Sequence, residues 1–155
     1  MIVSANAVAD YFIRFCHEHG DYITNLKLQK LVYYAQAWHL ALHEKPLFPE
    51  SIEAWVHGPV IPVLYQRFKD FKHEPITIHP VNALLPQNIC NHLDEIMEVY
   101  GGYAAFELEH LTHQADPWKN ARRGLPMDAL SKEVITHSDM QNYYQKMAKE
   151  NENQR

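Results

Sequence analysis

The sequence has 155 residues, the length of one domain and enough to bury a hydrophobic core. Apolar residues make up 46% and charged residues 21%, an ordinary globular balance that excludes a disordered chain. The formal charge of −5, from 14 Lys plus Arg against 19 Asp plus Glu, argues against a nucleic-acid binder, which needs a basic patch to neutralise phosphates. Only Arg122 and Arg123 are adjacent among the basic residues, and Lys27, Lys30 and Lys45 are too dispersed for such a patch.

Val8, Tyr11, Phe12 and Phe15 recur at helical spacing, so the first predicted element is a helix capped by Ser4 or Asn6 and ended between His17 and Gly20. Thr24 to His43 predicts the longest helix. Leu28, Leu31, Ala35, Trp38 and Leu42 form one apolar stripe, and Leu26, Tyr33, Ala37 and Leu40 form another. A helix apolar on two sides is expected at the centre of the domain. Asn25, Gln29, Gln36 and His43 leave a narrow polar strip. Lys30 projects in the sector of Tyr34, Ala37 and Ala41, where a lysine either snorkels to solvent or faces a partner.

Pro46 and Pro49 break the chain. Ile52 to Val56 then reads as a short strand and His57-Gly58-Pro59 as a sharp turn, with Ile76-Thr77-Ile78 the candidate partner strand. Ile61, Leu64, Phe68 and Phe71 return to helical spacing. Ile89, Leu93, Ile96, Met97 and Tyr100 predict another helix, stopped by Gly101-Gly102. Ala104, Leu108, Leu111 and Ala115 predict the next. Asp116-Pro117 reads as N-cap and first position of a short helix through Arg123. Ser138 and Gln141 read as a capping box for a last helix facing inward through Met140, Tyr143, Tyr144 and Met147. The expected fold is all-α, six or seven helices around a central one, with a minor two-stranded β element. Residues 1–148 are expected to form one domain and 149–155 a polar tail that frays.

Chemical motifs are sparse. Cys16 and Cys90 are distant from each other, lie in apolar-periodic segments and make no C-x-x-C pair, so neither a disulfide framework nor a cysteine metal site is expected. No Gly-rich phosphate loop, G-x-S-x-G or H-E-x-x-H motif occurs. His110 and His113 share a helix face and could join His57 and Asp116 as metal ligands, which keeps a small metal-dependent enzyme as the alternative function. A helix-turn-helix drawn through Gly20 to Trp38 would place too many apolar residues on its second helix for a DNA groove. Met1-Ile2-Val3-Ser4, followed by Asp10 and Arg14, does not read as a signal peptide, and no run approaches the ~18 apolar residues of a membrane span. A cytoplasmic protein without a membrane role is expected.

Three blocks stand out. The first is Leu26-Lys27-Leu28-Gln29-Lys30-Leu31-Val32-Tyr33-Tyr34-Ala35-Gln36. The second runs from Pro46-Leu47-Phe48 through Ile52-Glu53-Ala54-Trp55-Val56-His57-Gly58-Pro59-Val60 to Tyr65. The third is Leu111-Thr112-His113 followed by Pro117-Trp118. Taken singly, the first suits a core helix and the second suits either a structural turn or a binding loop. In this order and spacing they resemble the Panacea-domain family, also called SocA-like or phage-associated GepA-like proteins, from about Val8 to Tyr144.

The resemblance implies a mainly helical antitoxin of a bacterial or prophage toxin–antitoxin module. Such a protein binds its cognate protein toxin directly and is neither an enzyme nor a cofactor carrier. Some members carry an added DNA-binding domain, for which this chain has no room, so autoregulation by the chain alone is not expected. The partner-binding surface is expected at Lys30, Tyr34, Trp55, His57, Gly58, Pro59, His113 and Trp118, with no catalytic or metal-binding residue. Tyr34 and Trp55 would equally suit a core, and His57 and His113 could satisfy each other or backbone carbonyls. An adaptor that binds a host factor would need no more than the same surface.

Overall fold

The computed structural model describes residues 3–82 and 84–153. Among them are seven α-helices and one two-stranded sheet, the mainly helical architecture that the periodicity predicts. Helix α1 (Ala5–Glu18) starts at Ser4, whose hydroxyl accepts from the Ala7 amide at 3.0 Å, and buries Val8, Phe12 and Ile13. Helix α2 (Asn25–His43) is capped by the Thr24 hydroxyl and is the central element. Around it pack α1, α3 (Pro62–Phe68), α4 (Gln87–Tyr100), α5 (Ala105–Gln114) and α7 (His137–Asn153). Helix α6 (Asp116–Arg122) bridges α5, α7 and the sheet.

The polar strip of α2 is not a solvent face. Asn25, Gln29 and Gln36 are buried, and only His43 is exposed. The two glutamines bracket the backbone of the segment that follows the helix. Gln36 donates to Phe48 O at 2.8 Å and accepts from the Leu47 amide at 2.6 Å, while Gln29 accepts from the Ile61 amide at 2.8 Å and donates to Asn25 at 2.8 Å. A covering loop has no helical ladder of its own, so these amides supply the partners its buried backbone needs. Two residues of the expected apolar stripes, Leu26 and Leu42, are instead exposed.

The strand pairing differs from expectation. Strand β1 (Glu53–Trp55) pairs antiparallel with β2 (Gly58–Val60), in the register Trp55 to Gly58, and Ile76 takes no part. The chain reverses through Val56 and His57, and Gly58, at a φ of +107°, starts the return strand at once. Ile76 donates instead to Ile23 O at 2.8 Å, tying down the chain entering α2. Two helix starts are also displaced. Ala115 is the N-cap of α6, with Asp116 as its first residue, and the cap hydroxyl of α7 belongs to Thr136, which accepts from the Asp139 amide at 3.1 Å. Helix α7 continues through the first five residues of the expected tail, and Gln154 and Arg155 lie outside the described residues. No described helix is long and apolar enough to cross a membrane.

Candidate functional site

The β1–β2 hairpin is gripped from both sides by side chains that reach its backbone carbonyls. From α2, Lys30 Nζ donates to Pro59 O at 3.1 Å. From α5, His113 Nε2 donates to Val56 O at 2.8 Å. From α6, Trp118 Nε1 donates to Trp55 O at 2.7 Å and Arg122 Nη1 donates to Ala54 O at 3.2 Å. Three of these donors stack on one another: the His113 and Trp118 ring centroids are 4.2 Å apart, and the Arg122 guanidinium lies 4.6 Å from the Trp118 ring centroid. The outer edge of β2 thus loses its bonding capacity to Lys30, and Pro59 has no N–H to leave orphaned there. The outer edge of β1 is closed by the Ala54 amide donating to Glu133 O and the Ile135 amide donating to Ile52 O, each at 2.8 Å.

Lys30 is fully buried. It neither snorkels nor faces solvent; it is a strut under the hairpin. Burial pushes its pKa down to about 7, against the pull of the Glu109 carboxylate. The unfolded chain, with a lysine pKa near ~10.4, then binds more protons than the folded one through the alkaline range, so stability should rise with pH from about 7 towards 10, by up to ~1.4 kcal/mol per unit. Below about 7 the lysine is charged in both states and its burial penalty is fully present. Denaturant unfolding of the wild type and Lys30→Met between pH ~7.5 and ~9.5, below the usual tyrosine range, measures this. The wild type should gain stability with pH relative to the variant; parallel curves would contradict the buried, charge-penalised lysine.

The eight residues singled out in the sequence fall into three groups. Lys30, Gly58, Pro59 and Trp118 are buried within or beneath the hairpin, and half-buried His113 joins them, its pKa lowered by burial. Trp55 and His57 reach the surface. Trp55 packs edge-on against Tyr65, with Lys132 Nζ 5.7 Å from its ring centroid, and exposed His57 pairs with Glu109 at 2.6 Å. Tyr34 stands apart in an aromatic cluster, stacked on Tyr100 at 3.8 Å with burial raising its pKa, beside Tyr33 and Tyr144. The proposed metal set does not assemble: His113 is committed to Val56 O, His57 to Glu109, and no group of three or more His, Cys, Asp or Glu among the described residues could hold a metal ion.

Two open grooves flank the hairpin tip, and Val56, His57 and Asp128 line both. One, of about 690 Å³, lies towards α5 and is floored by Phe106, Leu111 and Met127. The other, of about 790 Å³, lies towards α3 and is lined by Leu26, Trp55, Tyr65 and Leu130. Phe106 is 71% exposed, Met127 60% and Leu130 91%, so large apolar side chains reach water on both sides of the hairpin tip. Arg122 builds much of this face. Buried at 2% exposure, it donates to the carbonyls of Pro126, Met127 and Ala129 as well as to Ala54, and so shapes the loop that carries Met127 and Leu130.

Sequence reasoning missed Phe106, Arg122, Met127 and Leu130. The available signals were weak: Phe106 lies off the Ala104–Leu108–Ala115 stripe, and Leu125, Met127 and Leu130 recur in a segment with no helical spacing. Nothing marks Arg122, because its partners are carbonyls.

A family model described as "Antitoxin SocA-like, Panacea domain" matches residues 28–119, an interval that contains Lys30, the hairpin, His113 and Trp118. The chain is 41% identical over 129 residues to the antitoxin SocA of Caulobacter vibrioides (strain NA1000 / CB15N), covering 75% of this chain and 69% of that protein. No solved structure matches.

Proposed function

The chain belongs to the antitoxin SocA-like, Panacea-domain family, and from that membership we propose that it is the antitoxin of a bacterial or prophage toxin–antitoxin pair and neutralises a protein toxin by direct binding in the cytoplasm. The observation that carries the binding mode is the exposed apolar face around the hairpin tip, formed by Phe106, Met127 and Leu130. Large apolar side chains held in water by a firmly anchored scaffold suit a protein interface, where a buried apolar core within a polar rim supplies most of the affinity. His57, Glu109 and Asp128 supply such a rim. On this reading the partner touches Trp55 and His57 directly. Lys30, Gly58, Pro59, His113 and Trp118 contribute by fixing the hairpin that presents them. Tyr34 serves the core behind it.

Co-expression with the small reading frame beside this gene tests the proposal. The neighbour should arrest growth alone, be harmless together with this chain, and co-elute with it. Rescue without a complex would contradict direct binding. A harmless neighbour, with a host protein captured in its place, would favour the adaptor reading.

A further inference from the structure

We propose that the groove between the hairpin tip and α5 receives an amphipathic helical segment of the protein partner that carries lysine or arginine beside apolar side chains. The inference rests on the direct-binding reading above and names the chemistry of what binds. Both hairpin edges are already bonded, β1 to the Glu133–Ile135 segment and β2 to Lys30 and Gln29, so a partner cannot dock by adding a strand. It must bring side chains to the groove, and a helix lying along α5 with an apolar face is the element that does so.

Charge selects which helix. Glu107, Glu109 and Asp128 line this groove, and among the described residues no lysine or arginine does. Glu107 uses one carboxylate oxygen to accept from the Ala104 amide at the start of α5, and Glu109 uses one on His57. Asp128 is exposed at the rim. Phe106, Leu111 and Met127 share the lining of the groove with these carboxylates. Across the hairpin tip the balance changes, for the other groove is lined by Lys72 and Lys132 and shares only Asp128 with this one among the described carboxylates. A cationic segment is therefore favoured on the α5 side over the other. Complementary charge of this kind gives register and specificity to an interface whose affinity is apolar.

Two fluorescein-labelled peptides of about 18 residues, long enough to form a helix on binding, provide the probe. They share one Leu/Phe face; one has a Lys/Arg polar face and the other a Glu polar face. Titrated with the full chain at low salt, the cationic peptide should bind at least about tenfold more tightly, and the gap should shrink as salt is raised. Phe106→Ser should weaken its binding by about tenfold or more, as loss of a central apolar contact does. The pair Glu109→Gln with Asp128→Asn should remove the preference. The pair Glu95→Gln with Glu98→Gln on α4, an equal change in net charge, should leave it intact.

Equal binding of both peptides, tighter binding of the acidic one, no binding of either, or indifference to Phe106→Ser would overturn the proposal. So would sedimentation of the chain alone as a dimer that Phe106→Ser dissolves, because a second copy would then fill the groove. Growth rescue is read separately. Failure to neutralise the neighbouring gene product with the peptide preference intact would remove the antitoxin reading alone.

Discussion

Gly58→Ala should lower folding stability by about 2–6 kcal/mol, a large fraction of what a domain of this size possesses. Two costs add. The backbone at Gly58 has a φ of +107°, where a side chain introduces strain of ~1–3 kcal/mol. A β-carbon there would also lie 2.7 Å from Lys30 Cε and 2.9 Å from Thr112 Oγ1, so the hairpin would have to lift from α2 and α5. Overpacking of this kind costs another ~1–3 kcal/mol. The two costs separate in a double variant: shortening the strut with Lys30→Ala should reduce the further cost of Gly58→Ala by relieving the clash, while the strain remains. Urea unfolding of the four proteins measures this. A Gly58→Ala loss within ~0.5 kcal/mol, the scale of an ordinary surface change, would contradict the close approach of Lys30 and the hairpin.

Arg122→Met should cost about 3–5 kcal/mol, because a buried cation that serves several carbonyls is removed and those carbonyls are left without partners. All the hydrogen bonds of Arg122 go to carbonyl oxygens, on β1 and on the loop at Pro126, Met127 and Ala129, and its Nε is buried without a partner. Arg122→Lys should not restore stability. A single ammonium cannot reproduce the planar fork that spans the strand and the loop, nor the guanidinium packing on Trp118. Limited proteolysis should cut both variants between Leu125 and Leu130 faster than the wild type. A stable Lys variant with an uncut loop would show that charge alone holds this region.

The helices were legible because their apolar residues recur at helical spacing, and α2 read correctly as central because it is apolar on two sides. What periodicity could not give was the direction of polar groups. Asn25, Gln29 and Gln36 look like a solvent strip, yet they are buried because the loop over them needs backbone partners. The β2 strand was hidden by Gly58 and Pro59, which read as a turn; the turn is instead at Val56 and His57, and the positive φ of Gly58 lets the return strand begin there.

That most of the residues singled out share one place was legible in the sequence, and what each of them touches was not. Lys30, Trp55, His57, Gly58, Pro59, His113 and Trp118 do meet at the hairpin, but their mutual bonds join residues 29 to 63 positions apart. No local pattern tells a side chain that grips a distant carbonyl from one that awaits a partner. Tyr34, one helical turn from Lys30, faces the aromatic cluster instead. The exposed apolar residues Met127 and Leu130 lie in a loop whose shape depends on Arg122, and spacing carries no information about that loop.

The most direct test of the account is co-elution of the neighbouring gene product with the triple variant Phe106→Asp/Met127→Asp/Leu130→Asp, set against the wild-type chain. All three side chains are exposed, so the variant should keep its stability within roughly 0.5 kcal/mol each. The account predicts that the wild-type chain co-elutes with that product and rescues growth, and that the folded variant does neither. A folded variant that still forms the complex would show that the partner binds elsewhere and that the hairpin face is not the neutralising surface.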